Sequence, residues 1–175
     1  GFDPDAILAL TNDELDAIHA DQRIVRNGQK IKSVIENARF LKQVAAEYGS
    51  FGQMLAGWDP REQIGLFDYM KKHGSRLGGN SGRWVLRKLG YDVFAVWGDA
   101  LVALRSVGLD LPDTPTSKRD MAAIQAQFNA WHDETGLPFT QLSQIAAFSC
   151  GANKFGNPDV IAIEEAIKNG DIPQI

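Results

Sequence analysis

Residues 75–109 read SRLGGNSGRWVLRKLGYDVFAVWGDALVALRSVGL. A glycine-rich turn, Gly78–Gly82, stands between two apolar stretches that suit helices. After it come a helix rich in Arg and Lys, a short apolar run, and Asp99 at the start of another helix. Glycine has no Cβ, so such a turn lets several backbone N–H groups approach a phosphate. The helix that follows is expected to start at Ser81 or Gly82, and its N-terminal dipole favours an anion at the same place.

On either side of this segment the chain reads as helices joined by short connectors. Asp3–Pro4 is an N-cap followed by proline at the first helical position. Thr11 and Glu14 form a capping box, with Leu10 and Leu15 spaced as a hydrophobic staple. Ile31, Val34, Ile35, Ala38, Leu41, Val44 and Ala45 recur at helical spacing, and Gly49 closes that helix. Ser50 starts a short helix, and Asp59–Pro60–Arg61–Glu62 caps one that ends near Gly74.

Gly82–Leu89 reads as a helix stopped by Gly90, Tyr91–Val96 as an extended link, and Asp99–Val107 as a helix ending at Gly108. Leu109–Thr116, with two prolines, is the main loop. Met121, Ile124, Phe128 and Trp131 mark the core stripe of a long helix ending at Gly136. Thr140 is expected to cap the next helix, and Asn157–Pro158 to start the last. The expectation is one all-α domain over 1–175, with helix, hairpin and helix at about 61–90, the loop at 109–116 and C-terminal helices over 117–170.

Length, a 44% apolar fraction and a 23% charged fraction suit a soluble globular protein. The start GFDPD lacks signal-peptide character, and no apolar run reaches membrane length. A cytoplasmic monomer with no membrane partner is expected. Cys150 is the single cysteine, so neither an internal disulfide nor a cysteine-rich zinc site is expected. The net charge of −4 argues against nonspecific coating of nucleic acid. Yet ten of the 18 basic residues fall in 22–35 and 69–91, two stretches free of Asp and Glu. On one face they could contact phosphates; apart, they are ordinary solvated faces.

Four stretches carry a resemblance: GFDPDAI at the start, DQRIVRNGQKIKSVIENARF, GSRLGGNSGRWVLRKLG, and TSKRDMAAIQAQFNAW followed by LSQIAAFS. In this order they resemble the helix-hairpin-helix DNA glycosylases, and within them the DNA-3-methyladenine glycosylase I group. The resemblance implies a base excision repair enzyme that flips an alkylated purine, such as 3-methyladenine, out of duplex DNA and hydrolyses its N-glycosidic bond. It implies that backbone amides of Gly78, Gly79, Asn80, Ser81 and Gly82 hold phosphate, with a monovalent cation an option on the hairpin carbonyls. Arg76, Arg83, Arg87, Arg26 and Lys30 are the DNA-binding side chains, the last two resembling the family's RN-x-x-K motif; they equally suit a turn and helix start.

Asp99 stands where the family carries its catalytic carboxylate, which stabilises the sugar cation and orients water; it also suits a helix cap. Bifunctional relatives have a Lys just after the hairpin. Arg83 and Trp84 occupy that region here, which implies a monofunctional enzyme using water. Trp84 is expected in the core, and Val102 as an apolar anchor of the Asp99 helix. Trp97 is assigned to the base pocket, whereas Trp58, Tyr91 and Phe94 suit core positions better. His73 is placed near phosphate. Many relatives join their termini through zinc, but Cys150 has no matching partners, so no zinc is expected. The family pattern begins upstream of a GFDPD-like stretch, so its N-terminal segment is expected to be lacking here. That leaves two further readings: a non-catalytic helix-hairpin-helix DNA-binding module, and a helical interaction domain.

Overall fold

The computed structural model describes residues 3–24, 27–94 and 97–150, and every regular element among them is an α-helix. The chain divides into two compact units, Gly1–Tyr91 and Asp92–Ile175.

In the first unit, α1 (Pro4–Leu8) starts at Asp3, whose carboxylate accepts the Asp5 amide at 2.8 Å. α2 (Asn12–Ala20) opens with the expected capping box: Thr11 and Glu14 each accept the other's backbone N–H. α3 (Gly28–Tyr48) is capped by Asn27, whose side chain accepts the Lys30 amide, and Gly49 ends it at φ 85°. A left-handed residue at a helix end is where glycine is favoured. α1 packs on α3, and Lys42 pairs with Asp5 at 2.9 Å. Leu10 and Leu15 line an apolar groove of about 430 Å³ with Ile7, Ile18, Ile31 and Ile35.

α3 buries Ile31, Ala38, Phe40 and Val44, whereas Val34 is exposed. Phe40 lies outside the expected stripe, yet its ring meets Phe51 edge-on at 6.0 Å and Tyr69 at 6.1 Å. Ser50 caps α4 (Phe51–Gly57) as expected. α5 (Gln63–His73) begins later than Asp59 suggested. The Asp59 side chain instead accepts the Arg61 amide, its carbonyl accepts the Glu62 amide, and the Trp58 indole N–H bonds the Glu62 carbonyl. These bonds make a turn ahead of the helix. α5 buries Leu66, Phe67 and Met70 and packs on α6 (Asn80–Lys88).

In the second unit, α7 (Asp99–Ser106) and α8 (Lys118–Thr135) both pack on α9 (Phe139–Phe148). Phe94 and Phe128 stack at 4.7 Å and 5°, and Phe139 meets Phe94 at 6.4 Å. All three rings are fully buried, each worth about 1.5–3 kcal/mol. The loop between α7 and α8 is pinned by Arg105, which donates to the Leu111 carbonyl and pairs with Asp113 at 3.0 Å. Val102, the expected anchor, is 40% exposed; Leu101 and Leu104 turn inward in its place.

Tyr91–Phe94 belongs to no helix or strand, and the rest of the expected link, residues 95–96, lies outside the described residues. The Thr140 hydroxyl bonds both the N–H and the carbonyl of Val93 at 3.2 Å. Thr140 does not cap α9. The helix begins at Phe139, with Pro138 at the cap position two residues before the expected one, and Asp92 accepts the amides of Phe139 and Thr140 at 2.9 and 2.7 Å. A carboxylate distant in sequence thus replaces the local cap. The helix expected to start at Asn157–Pro158 lies outside the described residues.

Candidate functional site

The turn between α5 and α6 is held from below by α3. Asn37 accepts the Ser75 amide at 2.8 Å and donates to the Ser75 carbonyl at 3.0 Å. The Ser75 hydroxyl donates to Glu36 at 2.5 Å, and this bond above all holds the Glu36 carboxyl below its usual range. The next residue, Arg76, takes φ 60°, the only non-glycine among the described residues with positive φ. Its exposed guanidinium donates to Gln29 at 3.3 Å. That contact sets the first turn of α3, with exposed Lys30, beside the turn.

The glycines divide by physical cause. Gly79 is the N-cap of α6 at φ 59° and ψ −138°, where only glycine is comfortable, and a Cβ there would meet nothing within 4 Å. Gly82 is buried, and a Cβ there would run into the Leu77 carbonyl. At Gly78 a Cβ would lie 3.1 Å from Lys71 Cγ. α6 starts at Asn80, one or two residues before the expected Ser81 or Gly82. It has no side-chain cap, and Asn80 and Ser81 are exposed. Amides in the first turn of a helix have no intrahelical acceptor. The stretch from 69 to 91, which holds this turn, has exposed cations at Lys71, Lys72, Arg76 and Lys88 and no acid.

Arg83, expected on DNA, is turned inward and only 6% exposed. Its Nη1 donates to Asn80 Oδ1 at 3.2 Å, and its guanidinium carbon lies 4.4 Å above the centre of the Phe67 ring. Burial pushes its pKa down to about 10. Trp84, expected in the core, is 49% exposed, because the buried stripe of α6 runs through Gly82, Arg83 and Leu86. Arg87 is half-buried in the last turn of α6. His73 lies against Tyr69, ring centres 4.5 Å apart. Arg26 lies outside the described residues.

In the second unit, Asp99 is the first residue of α7, half-buried, and Gly98 is the N-cap at φ 59° and ψ −140°. Gly98 and Gly79 thus open their helices with the same backbone geometry, neither with a side-chain cap. Asp99 is therefore not the cap of its helix. Its backbone carbonyl accepts from the Cys150 thiol at 3.3 Å. Trp97, two residues earlier, is half-buried, while Phe94 is core. Sequence reasoning missed Asn37, Glu36 and Asp92, each of which acts on backbone or hydroxyl groups far along the chain. Among the described residues no cluster of three or more His, Cys, Asp or Glu side chains is arranged to hold a metal. No described helix is long and apolar enough to cross a membrane.

No curated protein and no solved structure matches the chain. A family model does match part of it. The matched stretch holds the first two of the four segments quoted above and ends with α5, before the turn, α6 and Asp99. Over residues 1–73 the chain is similar to the methyladenine glycosylases.

Proposed function

We propose that the chain is a DNA glycosylase that hydrolyses the N-glycosidic bond of an alkylated purine such as 3-methyladenine. The observation that carries this reading is the similarity of residues 1–73 to methyladenine glycosylases. That stretch runs directly into a turn with uncapped helix amides and exposed cations, which suits a phosphodiester backbone. In this reading the amides of Asn80 and Ser81 hold phosphate, Gly78, Gly79 and Gly82 shape the turn, and Arg76, Arg87 and Lys30 add positive charge.

Asp99 serves as the catalytic carboxylate. As the bond from the sugar C1′ to the base nitrogen breaks, the electron pair leaves with the base. The alkylated purine, already cationic, departs neutral, and positive charge develops on the sugar. The Asp99 carboxylate stabilises that charge and takes the proton of the attacking water as the new C–O bond forms. No lysine follows the turn directly, so water is the nucleophile. Trp97 stacks on the flipped base.

A second reading, a non-catalytic helix-hairpin-helix DNA-binding module, is favoured by one observation. The similarity to glycosylases ends at residue 73, before Asp99 and Trp97, which belong to the second unit. Incubation with methylated duplex DNA and chromatography of the released bases separates the readings. Free 3-methyladenine is expected. Duplex binding without base release would favour the module, and neither binding nor release would sink both.

A further inference from the structure

The guanidinium of Arg83 touches both helices that flank the turn. It stacks on Phe67 of α5 and donates to Asn80, the first residue of α6. Among the described residues no carboxylate pairs with it, and its Nε is buried without a hydrogen-bond partner. Leaving a buried charge so poorly compensated is costly. Arg83 remains protonated at neutral pH despite burial, since its pKa is held at about 10. What it can fix is the start of α6. Gly79 supplies no side-chain cap, so the orientation of the Asn80 and Ser81 amides is not set in the ordinary way.

We propose that Arg83 is a positioning residue for the α5–α6 turn: it bridges Phe67 and Asn80 to aim the first amides of α6, and does not itself touch the bound phosphate. The inference rests on the reading of the turn as a DNA-phosphate site. It requires a flat, directional cation. A guanidinium can lie on a ring face while one N–H points sideways to an amide oxygen; an ammonium cannot do both in the same geometry.

The test compares Arg83→Met, Arg83→Lys and Arg76→Ala with the parent chain. Each is titrated by fluorescence anisotropy with a short duplex carrying a tetrahydrofuran abasic analogue, at several salt concentrations. Arg83→Met should bind about five- to tenfold more weakly, with an unchanged slope of log affinity against log salt. Arg76→Ala, which removes an exposed cation, should flatten that slope by about 0.9. Arg83→Lys should not recover parental affinity. A flattened slope in Arg83→Met would show direct phosphate contact and overturn the inference. So would parental affinity in a folded Arg83→Met or in Arg83→Lys.

If Arg83→Met does not fold, Asn80→Ala breaks the same bond from the solvent side, and the same weaker binding with unchanged slope is expected. Hydrogen exchange read by mass spectrometry over residues 77–83 gives a readout that needs no DNA. Exchange should be faster in Arg83→Met and Asn80→Ala than in the parent. Unchanged exchange overturns the positioning role. Faster exchange in a chain whose parent binds no duplex would count against the DNA-binding reading and leave the positioning of the turn standing.

Discussion

The side-chain amide of Asn37 holds both backbone groups of Ser75, accepting its N–H at 2.8 Å and donating to its carbonyl at 3.0 Å. One residue of α3 thus does for the turn what a neighbouring strand does for a sheet edge. Asn37→Ala should cost about 1–3 kcal/mol, because two part-buried backbone groups lose their partners together. Urea unfolding measures this. If the variant unfolds at the parental midpoint, water satisfies those groups and the clamp is not a stabilising feature.

The same anchor makes acid sensitivity local. Glu36 accepts the Ser75 hydroxyl, which lowers its carboxyl below the ordinary 4.5. A carboxyl depressed in the folded state contributes stability that is present above its unfolded pKa and lost as pH falls through the folded one. The melting temperature of the parent should therefore fall more steeply below about pH 4.5 than that of Glu36→Gln. Parallel melting curves for the two proteins from pH 7 to pH 3 would remove the carboxylate from the account.

Glycines in one turn should respond in different ways. Gly82→Ala drives a Cβ into the Leu77 carbonyl and should destabilise by about 1–3 kcal/mol through forced backbone shifts. Gly79→Ala meets no neighbour and should cost about 1–3 kcal/mol, from its backbone conformation of φ 59° and ψ −138° alone. Thermal unfolding measures both losses. A parental melting temperature in Gly82→Ala would mean that Leu77 yields easily.

Asp92→Ala should cost about 1–2 kcal/mol, because the Phe139 and Thr140 amides lose their cap. Asp92→Asn keeps one acceptor oxygen and should lose less. Differential scanning calorimetry gives both values. Equal losses would show that charge at the start of α9, rather than the two hydrogen bonds, supplies the effect.

Asp99→Asn should leave folding and duplex binding intact while slowing base release about a hundred- to a thousandfold, if the carboxylate stabilises the sugar cation. Single-turnover excision on methylated DNA is the measurement. A rate within twofold of the parent removes Asp99 from the chemistry.

How far the sequence could be read follows from the range of each interaction. Thr11, Ser50 and Gly49 act within a few residues, and all three sit where pattern alone placed them. Asp92 and Asn37 act across 47 and 38 residues, and nothing in their neighbours announces the partner. Trp84 and Arg83 exchanged places for a related reason. Their order of hydrophobicity suggests the indole inside, but the face of α6 that meets Phe67 passes through Arg83. The glycines of the turn were legible as a group, while the division between conformational need at Gly79 and packing need at Gly82 depends on where Leu77 lies. Asp99 was legible as a helix start, but Gly98 as its cap was not.

The cap that Asp92 gives to α9 has a bearing on the order of folding. It joins residues 92 and 139, so the chain between them is closed into a loop by a carboxylate, and that loop carries α7 and α8. The entropy of shutting such a loop must be met before the cap is gained. An ordinary helix carries its cap beside it. α9 receives its N-terminal hold only after its distant partner arrives, so its first turn belongs among the last parts of this unit to become fixed.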